Sequence, residues 1–261
     1  MVDVFQSSTP DMIHGRTLLH ALFSQTDNSG LTPDPSRFTN PSGNAGYSIG
    51  CANNEALQLT TGTVNTNACN IFVTQQRWPS NIGCLVLWSS PSLGNLTWLL
   101  GLRATTTTLT SQSNPTDFYA LKPFSNSTVN SGAPSFELWK VINSSAATMA
   151  SQPAITNYSD GTHYWLRFEI VGSVLTGKLW AASSPESSAQ VITVSDTSFT
   201  AGGYSTITAR NFVAAPKSVD IYEYVLYEPN TLRTPAATIL NIIDPQEYAP
   251  YPRTVTLSKK T

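Results

Sequence analysis

The sequence predicts an all-β fold, a sandwich of two antiparallel sheets. Short runs of alternating β-branched and aromatic residues recur along the chain. Clusters of Gly, Pro, Asn and Ser separate them, and no helical pattern of roughly 10–15 residues falls between successive runs, as a βαβ design would need. With 261 residues, the chain is long enough for one large all-β domain or two small ones.

The first candidate element is the one helical pattern, residues 10–22. Pro10 takes a first-turn position behind Ser8 and Thr9, and Met12, Leu18, Leu19 and Leu22 follow. Strands are expected at 46–51, 55–61, 70–76, 83–89, 96–104 and 117–122, each an apolar or alternating run closed by turn residues. The second half gives 135–142, 163–171, 174–181, 190–194, 204–209 and 218–227. Strands 163–171 and 174–181 fold about Gly172-Ser173. Tyr164, Leu166, Phe168 and Ile170 alternate on one side, while Trp165, Arg167 and Glu169 take the other, beside Lys178 and Trp180 of the return strand. The same alternation places Phe136 and Leu138 inward and Glu137 and Trp139 outward.

Three parts result: an N-terminal arm (1–17), the sandwich (18–228) and a Pro-rich C-terminal tail (229–261). The tail carries Pro229, Pro235, Pro245, Pro250 and Pro252 around an apolar ATILNII at 237–243. Such a tail cannot build its own core. It either lies across a neighbour or folds back on its own domain.

An apolar fraction of 40% supplies a core, but only 11% of residues are charged, less than half the usual share. Ser, Thr, Asn and Gln carry the solubility, a surface suited to permanent assemblies and to secreted β-proteins alike. A net charge of −2 with 14 scattered Lys and Arg argues against nucleic acid, which needs a basic stripe. No stretch approaches the roughly 18 apolar residues of a membrane span, and the start shows no secretory pattern. Cys51, Cys69 and Cys84 lack metal-type spacing, which leaves buried thiols or one disulfide plus a free thiol.

The opening LHALFSQTDNSGLTP (19–33), NEALQLT (54–60), SFELWKV (135–141), THYWLRFEIVGSVLTGKLWA (162–181), VSDTSFTAGGYSTITA (194–209) and VDIYEYVLYE (219–228) occur in order. This series resembles the laminin-G-like branch of the concanavalin-A-like jelly rolls over residues 18–228. The resemblance implies a jelly-roll β-sandwich. The fold hosts lectins, glycan-binding modules, hydrolases and viral structural domains, so the resemblance fixes architecture more than activity. Similar domains behind a short arm occur in bacteriophage tail, fibre and capsid-decorating proteins. Several members hold calcium near the chain ends, and Asp27 and Asp220 match those places.

In such a fold one sheet is concave, and its outward residues line the groove where sugars bind. Glu137, Trp139, Trp165, Arg167, Glu169, Lys178 and Trp180 then form a candidate glycan platform, with pyranose C–H faces on indole and hydroxyls on charged groups. The competing reading is packing or a protein interface, with Glu169 and Lys178 as a cross-strand ion pair. Glu137 and Glu169 are the available carboxylates for glycosidase chemistry, but no closely spaced acidic strand motif accompanies them. His14, His20 and His163 lack a nucleophile context. No catalytic residues are expected, and no cofactor beyond the calcium. The functional expectation is a non-enzymatic structural or adhesion protein of a phage particle, assembled in the host cytoplasm. Its partners are other virion proteins, further copies of itself and cell-surface glycan. A secreted, extracellular carbohydrate-binding module and a jelly-roll glycoside hydrolase are the alternatives.

Overall fold

The computed structural model describes residues 15–22, 38–39, 48–52, 56–61, 68–73, 77–90, 96–106, 117–123, 135–153, 161–211 and 217–229. One sheet is built from β1 (Gly15–Leu22), β3 (Ser48–Ala52), β4 (Ala56–Thr61), β6 (Ile82–Ser89), β11 (Tyr164–Val171), β12 (Val174–Ala181), β13 (Gln190–Ser195) and β15 (Lys217–Pro229). The other contains β2 (Phe38–Thr39), β5 (Ala68–Val73), β7 (Leu96–Ala104), β8 (Phe118–Pro123), β9 (Ser135–Ile142), β10 (Ser145–Pro153) and β14 (Tyr204–Asn211). The first sheet runs β13-β12-β11-β6-β15-β4-β3, with β1 also on β15, and the second runs β10-β9-β8-β7-β14-β5-β2. Every pairing is antiparallel.

The period of two decides what lies between the sheets. Tyr164, Leu166, Phe168 and Ile170 of β11 meet Tyr119, Leu121, Phe136 and Leu138 of the opposing sheet in one core. Trp88 and Trp98 face each other across it, ring centroids 5.0 Å apart and edge-on, a preferred geometry for aromatic quadrupoles. The sheets approach so closely at Gly177 that a Cβ there would lie 2.4 Å from Leu121 Cδ1. Cys84 is a buried free thiol, its pKa pushed up by burial. The side chains of Cys51 and Cys69 lie outside the described residues.

Two hairpins show how local chemistry sets register. Gly172, at φ 59°, takes the first turn position between Val171 and Val174, as a type II′ turn requires. Asn143 and Ser144, at φ 49° and 63°, make a two-residue turn with both central residues left-handed between Ile142 and Ser145, the type I′ pattern.

Residues 15–22 are strand, not the helix expected over 10–22. Their backbone is claimed by β15, which they meet from Gly15↔Pro229 to Leu22↔Glu223. Leu19 and Ala21 turn inward and are buried, and one bulge at Thr17/Leu19 leaves Leu18 packed against the same core. This strand begins within the segment read as an arm. β10 was also missed: SAATMASQP has little β propensity, and its pairing with β9 holds it in place.

Polar groups lace the sheets at one edge. Tyr119 donates to Asp196 Oδ1 at 2.6 Å and Lys140 to Asp196 Oδ2 at 2.7 Å. Arg103, in the left-handed region at φ 56°, is buried. Its guanidinium donates to the carbonyls of Ser80, Phe199 (2.6 Å) and Gly172 (2.9 Å), tying three loops to β7.

Candidate functional site

The seven residues read as one platform lie on two outer faces of the sandwich. Glu137 and Trp139 belong to β9 in the second sheet; the other five belong to β11 and β12 in the first. Alternation tells which residues share a side of their own strand, but not which sheet the strand joins. Glu137 and Glu169 therefore lie on opposite outer faces and do not form a carboxylate pair.

On the second sheet, Lys122 stands directly opposite Glu137 in register. Glu137 Oε2 accepts from Lys122 Nζ at 3.2 Å and from Trp139 Nε1 at 2.5 Å, and Oε1 accepts from Ser135 Oγ at 2.5 Å. The ammonium sits 4.0 Å from the Trp139 ring centroid, a cation–π contact. Burial lowers the Lys122 pKa against the pull of Glu137. Burial acting alone would raise Glu137, but the Ser135, Lys122 and Trp139 contacts outweigh it and leave the carboxyl below its usual range. Trp139 is thus held as part of a small charged cluster. Lys122 was absent from the sequence reading, although pairing 117–122 with 135–142 would have found it.

On the first sheet, Trp165 and Trp180 are register partners, stacked at 6.4 Å and 25°. They are only 6% and 3% exposed. Leu85 of β6 and Val225 and Tyr227 of β15 share their cluster on this outer face, with Ala182 and Ala189 of the β12–β13 loop packed against it. An indole this buried offers no open face to a sugar; the packing reading describes both tryptophans. Arg167, 1% exposed, donates through Nη1 to Glu186 Oε1 at 2.7 Å, and Lys178 Nζ reaches the same oxygen at 2.8 Å. Glu169 is not the cross-strand partner of Lys178. It faces Thr176 in register and accepts from the Tyr227 hydroxyl at 2.6 Å.

A third cluster lies on the same outer face, nearer the ends of β4, β6 and β15. Val219 and Ile221 point into the core, so Asp220 points out. Gln58 Nε2 donates to Asp220 Oδ1 at 2.8 Å. His163 packs on Tyr222, centroids 4.6 Å apart, and Ser89 Oγ lies 3.1 Å from the Tyr222 hydroxyl. Burial raises the Asp220 pKa, partly opposed by Gln58 and His163, and burial lowers that of His163. Asp27, the other residue of the calcium expectation, lies outside the described residues. Around Asp220, one carboxylate oxygen already takes an amide N–H, and among the described residues no three His, Cys, Asp or Glu side chains gather as metal ligands.

No known family model and no curated protein matches the chain. Solved structures do. The exoplasmic/lumenal domain of VIP36, in its Ca2+/Man3GlcNAc-bound form, is 14% identical with a TM-score of 0.59, covering 78% of this chain and 90% of that one. The CBM2 module of the evolved Dit of Lactobacillus casei BL23 phage J-1 is 16% identical, TM-score 0.52, covering 82% and 96%. The carbohydrate-binding module CBM66 from Bacillus subtilis is 12% identical, TM-score 0.51, covering 73% and 94%. The shared architecture is a β-sandwich of two antiparallel sheets. It is a concanavalin-A-like jelly roll, as the sequence motifs implied.

Proposed function

We propose that this chain is a non-enzymatic, glycan-recognising structural domain of a phage particle, working with other virion proteins and further copies of itself. The observation that carries the glycan half is the Asp220 cluster. A carboxylate and a carboxamide suit vicinal hydroxyls, Ser89 and Tyr222 supply further hydroxyls, and the Tyr222–His163 pair supplies ring faces. Asp220 and Ser89 are themselves buried, at 7% and 3% exposure, so the half-buried Tyr222 and His163 form the accessible rim, and the Asp220 oxygen not held by Gln58 accepts a sugar hydroxyl that reaches in past them. The likeness to lectin and carbohydrate-binding folds, one of them from a phage Dit, supports the setting.

A neutral-glycan array with wild type, Asp220→Asn and Tyr222→Ala tests it. Binding by wild type, weakened at least about tenfold in both variants, is expected; a tenfold loss corresponds to about 1.4 kcal/mol, the scale of one lost hydrogen bond or ring contact. A wild type that binds no glycan, or variants that bind as well as it does, would refute the site. The likeness to CBM66 keeps a secreted binding module as the second reading. Light scattering separates the two, since a particle component is expected to assemble and a module to remain a monomer.

A further inference from the structure

The β12–β13 loop reads AASSPESSA over 181–189, with Glu186 its single charge. That one carboxylate oxygen receives both Arg167 and Lys178, at 2.7 and 2.8 Å. The Arg167 guanidinium carbon also lies 5.9 Å from the Trp180 ring centroid. A guanidinium and an ammonium converging on one carboxylate beside two stacked indoles is a recognition arrangement for a carboxylated ring compound. Here the chain's own Glu186 fills the position of that carboxylate.

The β12–β13 loop forms part of the cover over the indoles. The short 3-10 helix Glu186–Ser188 has no buried residue, and only Ala182 and Ala189 of the loop pack against the tryptophan cluster. Backbone hydrogen bonds of Ser184, Ser188 and Ala189 return to Ala181, Pro185 and Glu186 within the same segment. Among the described residues, the tie from the loop's middle to the sheet is therefore the Glu186 carboxylate. A segment with few buried apolar contacts and local hydrogen bonds opens at low free-energy cost.

We infer that Arg167, Lys178, Trp165 and Trp180 form a second binding site, for an acidic saccharide bearing a ring carboxylate, which Glu186 occupies as an internal competitor. This site goes beyond the Asp220 cluster and does not depend on it. A ligand carboxylate displaces Glu186 from the two cations, the loop swings away, and the pyranose C–H face lies on the uncovered indoles.

The test uses the full chain, tri-galacturonate as probe and neutral galactotriose as control, with binding read by calorimetry and tryptophan fluorescence. Glu186→Ala removes the competitor and is expected to bind tri-galacturonate at least tenfold more tightly than wild type, with a change in tryptophan emission and no gain for the neutral sugar. Adding Lys178→Ala to that variant is expected to cancel the gain. Should Glu186→Ala fold poorly, Glu186→Gln keeps the shape and is expected to show a smaller gain of the same kind. Thermal melts run beside the titrations. Folded variants that bind no tighter than wild type, equal gains for acidic and neutral sugars, or loss of fold in both variants would overturn the inference and leave Glu186 a structural anchor.

Discussion

Replacing Trp180 by alanine separates a buried indole from an open platform. At 3% exposure the side chain hides nearly all of its surface, about 200 Å² for an indole, and about 25 cal/mol per Å² gives ~5 kcal/mol. That is an upper bound, because an unfolded chain already covers part of it. The loop above contributes only Ala182 and Ala189, so the cavity closes in part, and the expected loss is about 3–4 kcal/mol, within the range for Trp→Ala. Urea denaturation is the assay. The midpoint should fall with an unchanged slope, and the melting temperature should drop by about 10 °C, given about 2–4 °C per kcal/mol at this size. A loss below about 1 kcal/mol would refute the packing account, since only an indole already in water leaves so cheaply.

Gly177→Ala should cost about 1–3 kcal/mol by overpacking, because the new Cβ meets Leu121 Cδ1 at 2.4 Å; trimming Leu121 to Val in the same chain should recover part of the midpoint. Burial raises the Asp196 carboxyl, but its bonds from Lys140, Tyr119 and the Ser198 N–H hold it far below its usual range. A depressed folded pKa gives stability that is present above the unfolded value of 3.8 and lost as pH falls toward the folded one, so Asp196→Asn should flatten the acid limb of a pH–stability curve. Asp220 has the opposite sign: its raised folded pKa means stability is lost as pH rises through it. Asp220→Asn should therefore raise the melting temperature at pH 7 while removing sugar binding, and a lower melting temperature there would contradict the account. Arg103→Lys should cost about 3 kcal/mol by chemical denaturation, since an ammonium cannot span the three loop carbonyls that the guanidinium fork reaches.

Much of the architecture was legible in the sequence. The β11–β12 hairpin is written in its alternation and its Gly172, and 96–104, 135–142 and 174–181 match the observed strands residue for residue. What escaped depended on partners. Gly15–Leu22 carries leucines spaced for a helix, and only the distant β15 makes it a strand. For the candidate site, alternation within the hairpin put Trp165, Arg167 and Glu169 on the face of Lys178 and Trp180, but it matched Lys178 with Glu169 where the register sets it opposite Arg167, and it placed Trp139 on the same face because strand alternation carries no information about sheet membership. It also missed Glu186, whose lone charge in a run of Ala, Ser and Pro was the available signal.

Strand β1 has a mechanical consequence. Gly15 lies against Pro229 and so tightly that a Cβ there would overlap the Glu228 carbonyl, while Arg16 and His20 pair with Glu228 and Glu223. The first and last described strands of the sandwich thus have their outer ends, Gly15 and Pro229, side by side at one doorway. Pulling on both ends at that doorway would peel β1 from β15 one rung at a time, whereas strands drawn lengthwise past each other must break their rungs together. A short bridge from Pro229 to Gly15, with new ends cut at Asn143-Ser144, should give a circular permutant that keeps the fold. By the same geometry, a host chain could carry this domain as an insert in a surface loop, because the gap it must span is one strand spacing wide.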